Sequence, residues 1–141
     1  MRNKRKLYIS EYDMKRLKTL IDLLQENQSD DRERMHVEFL DEVLRDAEVV
    51  TPEMIPRDVV TMNSKIRVRN QDTGSETVYH LVFPGEADVR KNRISVLAPV
   101  GGALIGCRAG SSVKLRVPAG ETRLIIEEIQ YQPESAGDYH L

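Results

Sequence analysis

The sequence predicts an α+β protein: an antiparallel helical hairpin, then a small antiparallel sheet with one short helix packed on it. The prediction rests on where glycine, proline and apolar residues fall. The first 51 residues contain neither glycine nor proline, whereas all eight glycines and all six prolines lie between Pro52 and Gly137. Both residue types interrupt helices and mark turns, so the chain divides into a helical part and a turn-rich part. Apolar residues recur at helical spacing in the first part and alternate with polar ones in the second.

Residues 1–51 read as the hairpin. Met14, Leu17, Ile21 and Leu24 form one apolar seam, and Val37, Leu40, Leu44 and Ala47 form a second with the same spacing. Ser10 stands at the N-cap position of the first helix, with Asp13 three residues on as an acidic capping-box partner. The polar stretch from Gln25 to Arg32 separates the seams, and Ser29 or Asp30 can cap the second helix. At about 16–18 residues each, the helices make a short coiled coil reaching only about 25 Å, too little to stand without support.

Residues 52–56 read as a linker, with Thr51 capping a single turn that has Pro52 at its first position. Residues 57–141 then read as the sheet unit. Strands are expected at 59–69, 77–83, 93–97, 113–117 and 122–131, with turns at Asp72-Thr73-Gly74 and Pro118-Ala119-Gly120. The segment from Pro99 to Gly106 opens on proline and stops on glycine, which marks a short buried helix.

Composition limits function. The chain has 141 residues, a net charge of −2 and one cysteine. Near-neutrality argues against sequence-specific nucleic-acid binding and against adhesion to anionic membranes. No apolar run approaches the length needed to cross a bilayer, and Leu7-Tyr8-Ile9-Ser10 is too short for a secretory core, so a cytoplasmic protein is expected. Cys107 and the dispersed His36, His80 and His140 cannot build a structural zinc site, and no cofactor is expected. Cys107, just after the short helix and with no histidine near in sequence, reads as a buried structural thiol.

Gly101-Gly102-Ala103-Leu104-Ile105-Gly106 matches neither a P-loop nor a dinucleotide-binding register, so these glycines are read as allowing close helix–sheet contact. Arg67, Arg69, Arg90, Lys91 and Arg93 lack interleaved exposed aromatics and read as a solvated sheet face. Asp30, Asp31 and Glu33 cluster at the hairpin tip. They can hold a divalent cation weakly, or serve the helix dipole as first-turn acids.

One long segment carries a specific likeness. Asp88, then Arg93-Ile94-Ser95, then Ala98-Pro99-Val100-Gly101 and Leu104-Ile105-Gly106 follow the C-terminal signature of the bacterial Gre transcript-cleavage factors. The stretches Asp58–Lys65, Ala98–Gly101 and Tyr131–Glu134 with Ala136–Tyr139 resemble more closely the short-hairpin branch of that group, the regulators of nucleoside diphosphate kinase. The resemblance implies an FKBP-like sheet unit that docks on RNA polymerase near its secondary channel. Asp88 and Ser95 match the docking positions, and Pro99 and Val100 shape the adjoining helix start. It further implies transcription regulation, including an influence on nucleoside diphosphate kinase.

Gre factors also carry metal-holding acids on a long hairpin tip. Here the hairpin is short, although Asp30 and Glu33 do stand at Asp-x-x-Glu spacing, with Asp31 between them. The expectation is therefore a non-catalytic regulator that competes with Gre-type factors, with transcript cleavage through the acidic tip as the alternative. A prolyl isomerase, the other activity an FKBP-like fold suggests, would need an aromatic-lined pocket that so few aromatic residues do not supply.

Overall fold

A computed structural model describes residues 7–26, 31–117, 120–139 and 141. Strand β1 (Leu7–Ser10) runs directly into helix α1 (Glu11–Glu26); helix α2 (Asp31–Arg45) returns and passes into strand β2 (Ala47–Val50). β1 and β2 pair in parallel, Leu7 opposite Ala47 and Ser10 opposite Val50. The helical reading of 1–51 is corrected at both ends, and Ala47 belongs to a strand rather than to the second helical seam. The strands are short and their partner lies across the whole hairpin, so nothing local in the sequence announces them. Ser10 does cap α1, its Oγ accepting the Asp13 N–H at 3.0 Å.

The second part is a five-stranded sheet in the order β5-β4-β3-β7-β6, built from β3 (Lys65–Asn70), β4 (Glu76–Val82), β5 (Arg93–Ser95), β6 (Ser112–Val117) and β7 (Gly120–Tyr131). The expected turn at Asp72–Gly74 joins β3 to β4, with Gly74 at φ +76. Of the turn expected at Pro118-Ala119-Gly120, Pro118 and Ala119 lie outside the described residues.

The sheet is mixed rather than wholly antiparallel, because β5 runs parallel to β4. The connection through residues 83–92 makes two single 3-10 turns, at Pro84–Glu86 and Val89–Lys91, and carries the chain back before β5 begins. The strand expected from Val59 begins only at Lys65. Val59 and Val60 are fully buried, but Val60 exchanges backbone hydrogen bonds with Cys107 and Gly106 instead of joining a ladder. Asn63 then turns the chain at φ +67.

One apolar core joins the two parts. Leu17 and Ile21 of α1 and Val37, Leu40, Val43 and Leu44 of α2 cluster with Val60, Met62, Ile66, Leu81 and Ile126. Val43 lies outside the expected seam. It is buried because α2 packs on the sheet unit as well as on α1, which widens its apolar stripe. Helix α3 (Pro99–Leu104) is wedged between β5 and α2, as its glycines foretold. A Cβ on Gly101 would stand 2.1 Å from the Ser95 carbonyl oxygen, and one on Gly102 would stand 3.2 Å from the Phe39 ring. Cys107 is buried, its Sγ donating to the Ala103 carbonyl at 3.3 Å.

A polar junction locks the start of α1 to the sheet unit. Buried Asp13 accepts from the Met62 N–H at 3.2 Å and from Arg16 at 2.5 Å. The Arg16 guanidinium lies over the Tyr12 and Phe83 rings, at 4.0 and 4.8 Å from their centres, and donates to the Leu141 carbonyl at 2.8 Å. Beside it the Thr61 hydroxyl donates to Glu134, at the start of the short terminal helix α4 (Pro133–Ala136). Burial raises the pKa of Asp13 and of Glu134, outweighing the opposing pull of Arg16 on Asp13 and of the Thr61 hydroxyl on Glu134.

Two outcomes follow from this packing. Gly101→Ala drives a methyl group into backbone rather than into a movable side chain, and should cost about 3 kcal/mol or more in denaturant unfolding; an unchanged midpoint would contradict the wedge. Asp13 is protonated more readily folded than unfolded, so its contribution to stability falls as pH rises from its ordinary value of 3.8 through its raised folded value. The stability of the wild type relative to Asp13→Asn should therefore fall over that window and then level off. A relative stability of the wild type that rises with pH would contradict the junction.

Candidate functional site

The candidate site is the loop–strand–helix segment from Pro84 to Leu104, and its backbone is closely determined. Asp88 caps the single turn Val89–Lys91, its Oδ1 accepting the Arg90 N–H at 3.0 Å. Asp88 and Arg93 also exchange backbone hydrogen bonds at 2.9 and 3.0 Å, closing the loop, while Asn92 stops the turn at φ +56. The closed loop leaves Val89 88% exposed at its outer end, an apolar side chain held in solvent by a capped turn. No periodicity reaches so short a loop, so Val89 is not singled out by sequence patterning.

Asp88 and Arg93 are bridge partners, and Ser95 follows Arg93 by two residues along β5. Opposed residues and residues two apart on a strand project from the same side, so the structure brings Asp88, Arg93 and Ser95 onto one face. Ser95 is half-buried. Its Oγ accepts the Leu97 N–H at 3.0 Å and its carbonyl accepts the Ala98 N–H at 3.0 Å, which starts α3. Pro99 is exposed at the first position of α3, whereas Val100 is half-buried and packs on the core. Pro99 lies on the rim of a groove of about 670 Å³ lined also by Met35, Phe39, Leu97 and Leu115. Met35 is 67% exposed, and Phe39 covers Gly102.

The same sheet face continues inward from Arg93. Arg93 is opposite His80 of β4, and His80 is opposite Lys65 of β3. His80 is held below its ordinary pKa, first by burial and then by the charges of Arg93 and Lys65; a hydrogen bond with the Asn63 backbone and the charge of Glu86 act the other way. Further across, the Tyr131 hydroxyl donates to Asp138 at 2.5 Å, and that bond is the main cause pushing its pKa up to about 12. Arg69 is paired with Glu127 at 2.5 Å.

At the hairpin tip, Asp30 lies outside the described residues. Asp31 opens α2, is exposed, and is paired with Arg34; Glu33 is half-buried beside Leu24 and Val37. Among the described residues no group of three or more His, Cys, Asp or Glu side chains is arranged to hold a metal ion. The buried acid of the hairpin lies at its other end, at the base: Asp13, read from the sequence only as a capping residue. Its position four residues before Leu17, on the register of the apolar seam, is the signal that marks it.

Comparison with known proteins agrees with the geometry. The family described as "Transcription elongation factor, GreA/GreB, C-term" matches residues 55–131. The regulator of nucleoside diphosphate kinase of Escherichia coli (strain K12) is 46% identical over 96 residues, covering 67% of this chain and 71% of that protein. The transcription elongation factor GreA of Thermodesulfovibrio yellowstonii is 38% identical over 96 residues, 68% of this chain and 61% of that protein. The chain thus spans only about three fifths of that factor. A solved GreA/GreB elongation factor from Nitrosomonas europaea superposes with a TM-score of 0.73 at 38% identity, covering 89% of this chain and all of that one. On a matched segment that contains the whole Asp88–Leu104 site, the chain belongs to the GreA/GreB family of transcription elongation factors.

Proposed function

We propose that this chain is a transcription regulator that binds RNA polymerase near its secondary channel and competes there with Gre-type factors without stimulating transcript cleavage. Its sheet unit is read as FKBP-like, its hairpin as a short coiled coil, and residues 57–141 as the docking part. The observation that carries the reading is a mismatch of scale. The loop–strand–helix segment is held in a single arrangement by caps and backbone bonds, while the arm that would reach a catalytic centre is α1, 16 residues long. At 1.5 Å per residue that helix extends about 24 Å. Asp31 is spent on Arg34, which further weakens the tip as a metal carrier.

In this reading Asp88 and Ser95 make the docking contacts. Pro99 extends the surface toward the groove beneath α2, and Val100 fixes the slope of α3 from within. Asp31 and Glu33 serve the start of α2. The likeness to the regulator of nucleoside diphosphate kinase supports an effect on that kinase through transcription rather than through an enzymatic reaction of this chain. The binding itself is the test. Asp88→Ala and Ser95→Ala should each weaken the affinity for purified RNA polymerase about 5–30-fold while the far-ultraviolet spectrum is retained. Wild-type affinity in both variants would reject the assigned surface.

A further inference from the structure

We propose that Lys65 and Arg93, on either side of His80 on the outer face of the sheet, form the electrostatic half of the polymerase-docking surface and receive a carboxylate-rich segment of that enzyme. The inference rests on the docking reading above and specifies the chemistry of the partner. Its basis is register. Arg93, His80 and Lys65 face one another across β5, β4 and β3, so the three side chains leave the sheet on the same side. Neighbouring strands are about 4.8 Å apart, which places the two cations about 10 Å from each other. Ser95 and Asp88 lie on the same side, beside Arg93.

Like charges arranged this way repel, and the cost is ordinarily relieved by interleaved acids. One such relief occurs on this sheet, where Arg69 is paired with Glu127. Neither Lys65 nor Arg93 has a carboxylate at ion-pair distance among the described residues. Glu86 acts on His80 only through its charge. With its basicity lowered first by burial and then by these two charges, His80 sits between the cations as a hydrogen-bonding group more readily than as a third charge.

The extent of the patch selects the partner. Moving along β3, the next rung sets Arg67 between Val78 and Glu128, and the one after sets Arg69 beside Glu76. The positive potential therefore ends after about one rung, and the tyrosine on the Lys65 rung, Tyr131 of β7, is half-buried and bonded to Asp138 rather than presented as an open ring on which a base could stack. A nucleic-acid backbone needs a longer cationic track and gains from such rings. One or two carboxylates of a protein segment match the width available. Asp88 at the other end gives the surface opposite signs at its two ends, which would fix the direction in which the segment lies.

The test compares the wild type, the double variant Lys65→Gln/Arg93→Gln and the charge-preserving Lys65→Arg/Arg93→Lys. Each is titrated against RNA polymerase at about 0.05 M and about 0.5 M salt, because screening separates charge from packing. At low salt the neutral double variant should bind about tenfold more weakly, and the charge-preserving one should bind close to wild type. The gap should close at high salt. Equal affinity of the neutral variant and the wild type at low salt overturns the inference while leaving docking through Asp88 and Ser95 intact. A loss that persists at high salt also overturns it, by marking a packing contact. Wild-type protein that fails to bind polymerase at all rejects the docking reading itself. Binding of a single-stranded RNA probe that the neutral variant loses would assign the cations to nucleic acid instead.

Discussion

The approach of α3 to β5 constrains the rest of the structure. Because Gly101 has no side chain, the helix can lie against the Ser95 carbonyl, at a distance that a single methyl group would close. That contact fixes where α3 begins, and with it Pro99 at the surface and Val100 in the core. Gly102 repeats the device on the opposite side, where the Phe39 ring of α2 rests on it. One glycine pair thereby ties the short helix to the sheet and to the hairpin. The geometry of the proposed docking surface and the direction of the arm become parts of one packing problem.

The hairpin is held at its other end by charge rather than by close packing. Asp13 and Arg16 are drawn into the junction between α1, the 56–64 loop and the terminal turn, where Met62, Phe83 and Leu141 complete their contacts. Burial makes the ionised form of Asp13 costly, yet the Met62 N–H is satisfied by this carboxylate. Such an arrangement favours definition of geometry over stability. The arm is rigidly oriented at its base and short at its reach, and the two properties together fit a protein that covers a docking surface instead of acting at a distance.

Much of this was legible in the residues. The apolar seams located α1 and α2, the Pro99–Gly106 stretch located α3, and the turn chemistry at Asp72-Thr73-Gly74 located the β3–β4 hairpin. What escaped was non-local. Leu7–Ser10 and Ala47–Val50 become strands only by pairing across the hairpin. The apolar run at Val59-Val60 resembles a strand, yet its backbone bonds Cys107 and Gly106. The direction of β5 depends on a crossover made of two single turns, which no periodicity reports. Asp88, Ser95, Pro99 and Val100 were named through likeness to a family segment. Register then placed Asp88 and Ser95 on one face with Arg93, while Pro99 and Val100 divide between surface and core.

The central claim is that a Gre-type docking unit is carried on an arm too short for catalysis at a distance. It is tested most directly by adding the purified chain, with a Gre-type cleavage factor, to backtracked elongation complexes and following the length of the nascent RNA. The account predicts that the chain alone leaves the RNA uncut and that increasing amounts suppress cleavage by the Gre-type factor. Shortened RNA produced by the chain alone, or cleavage by the Gre-type factor that no excess of the chain reduces, would contradict it.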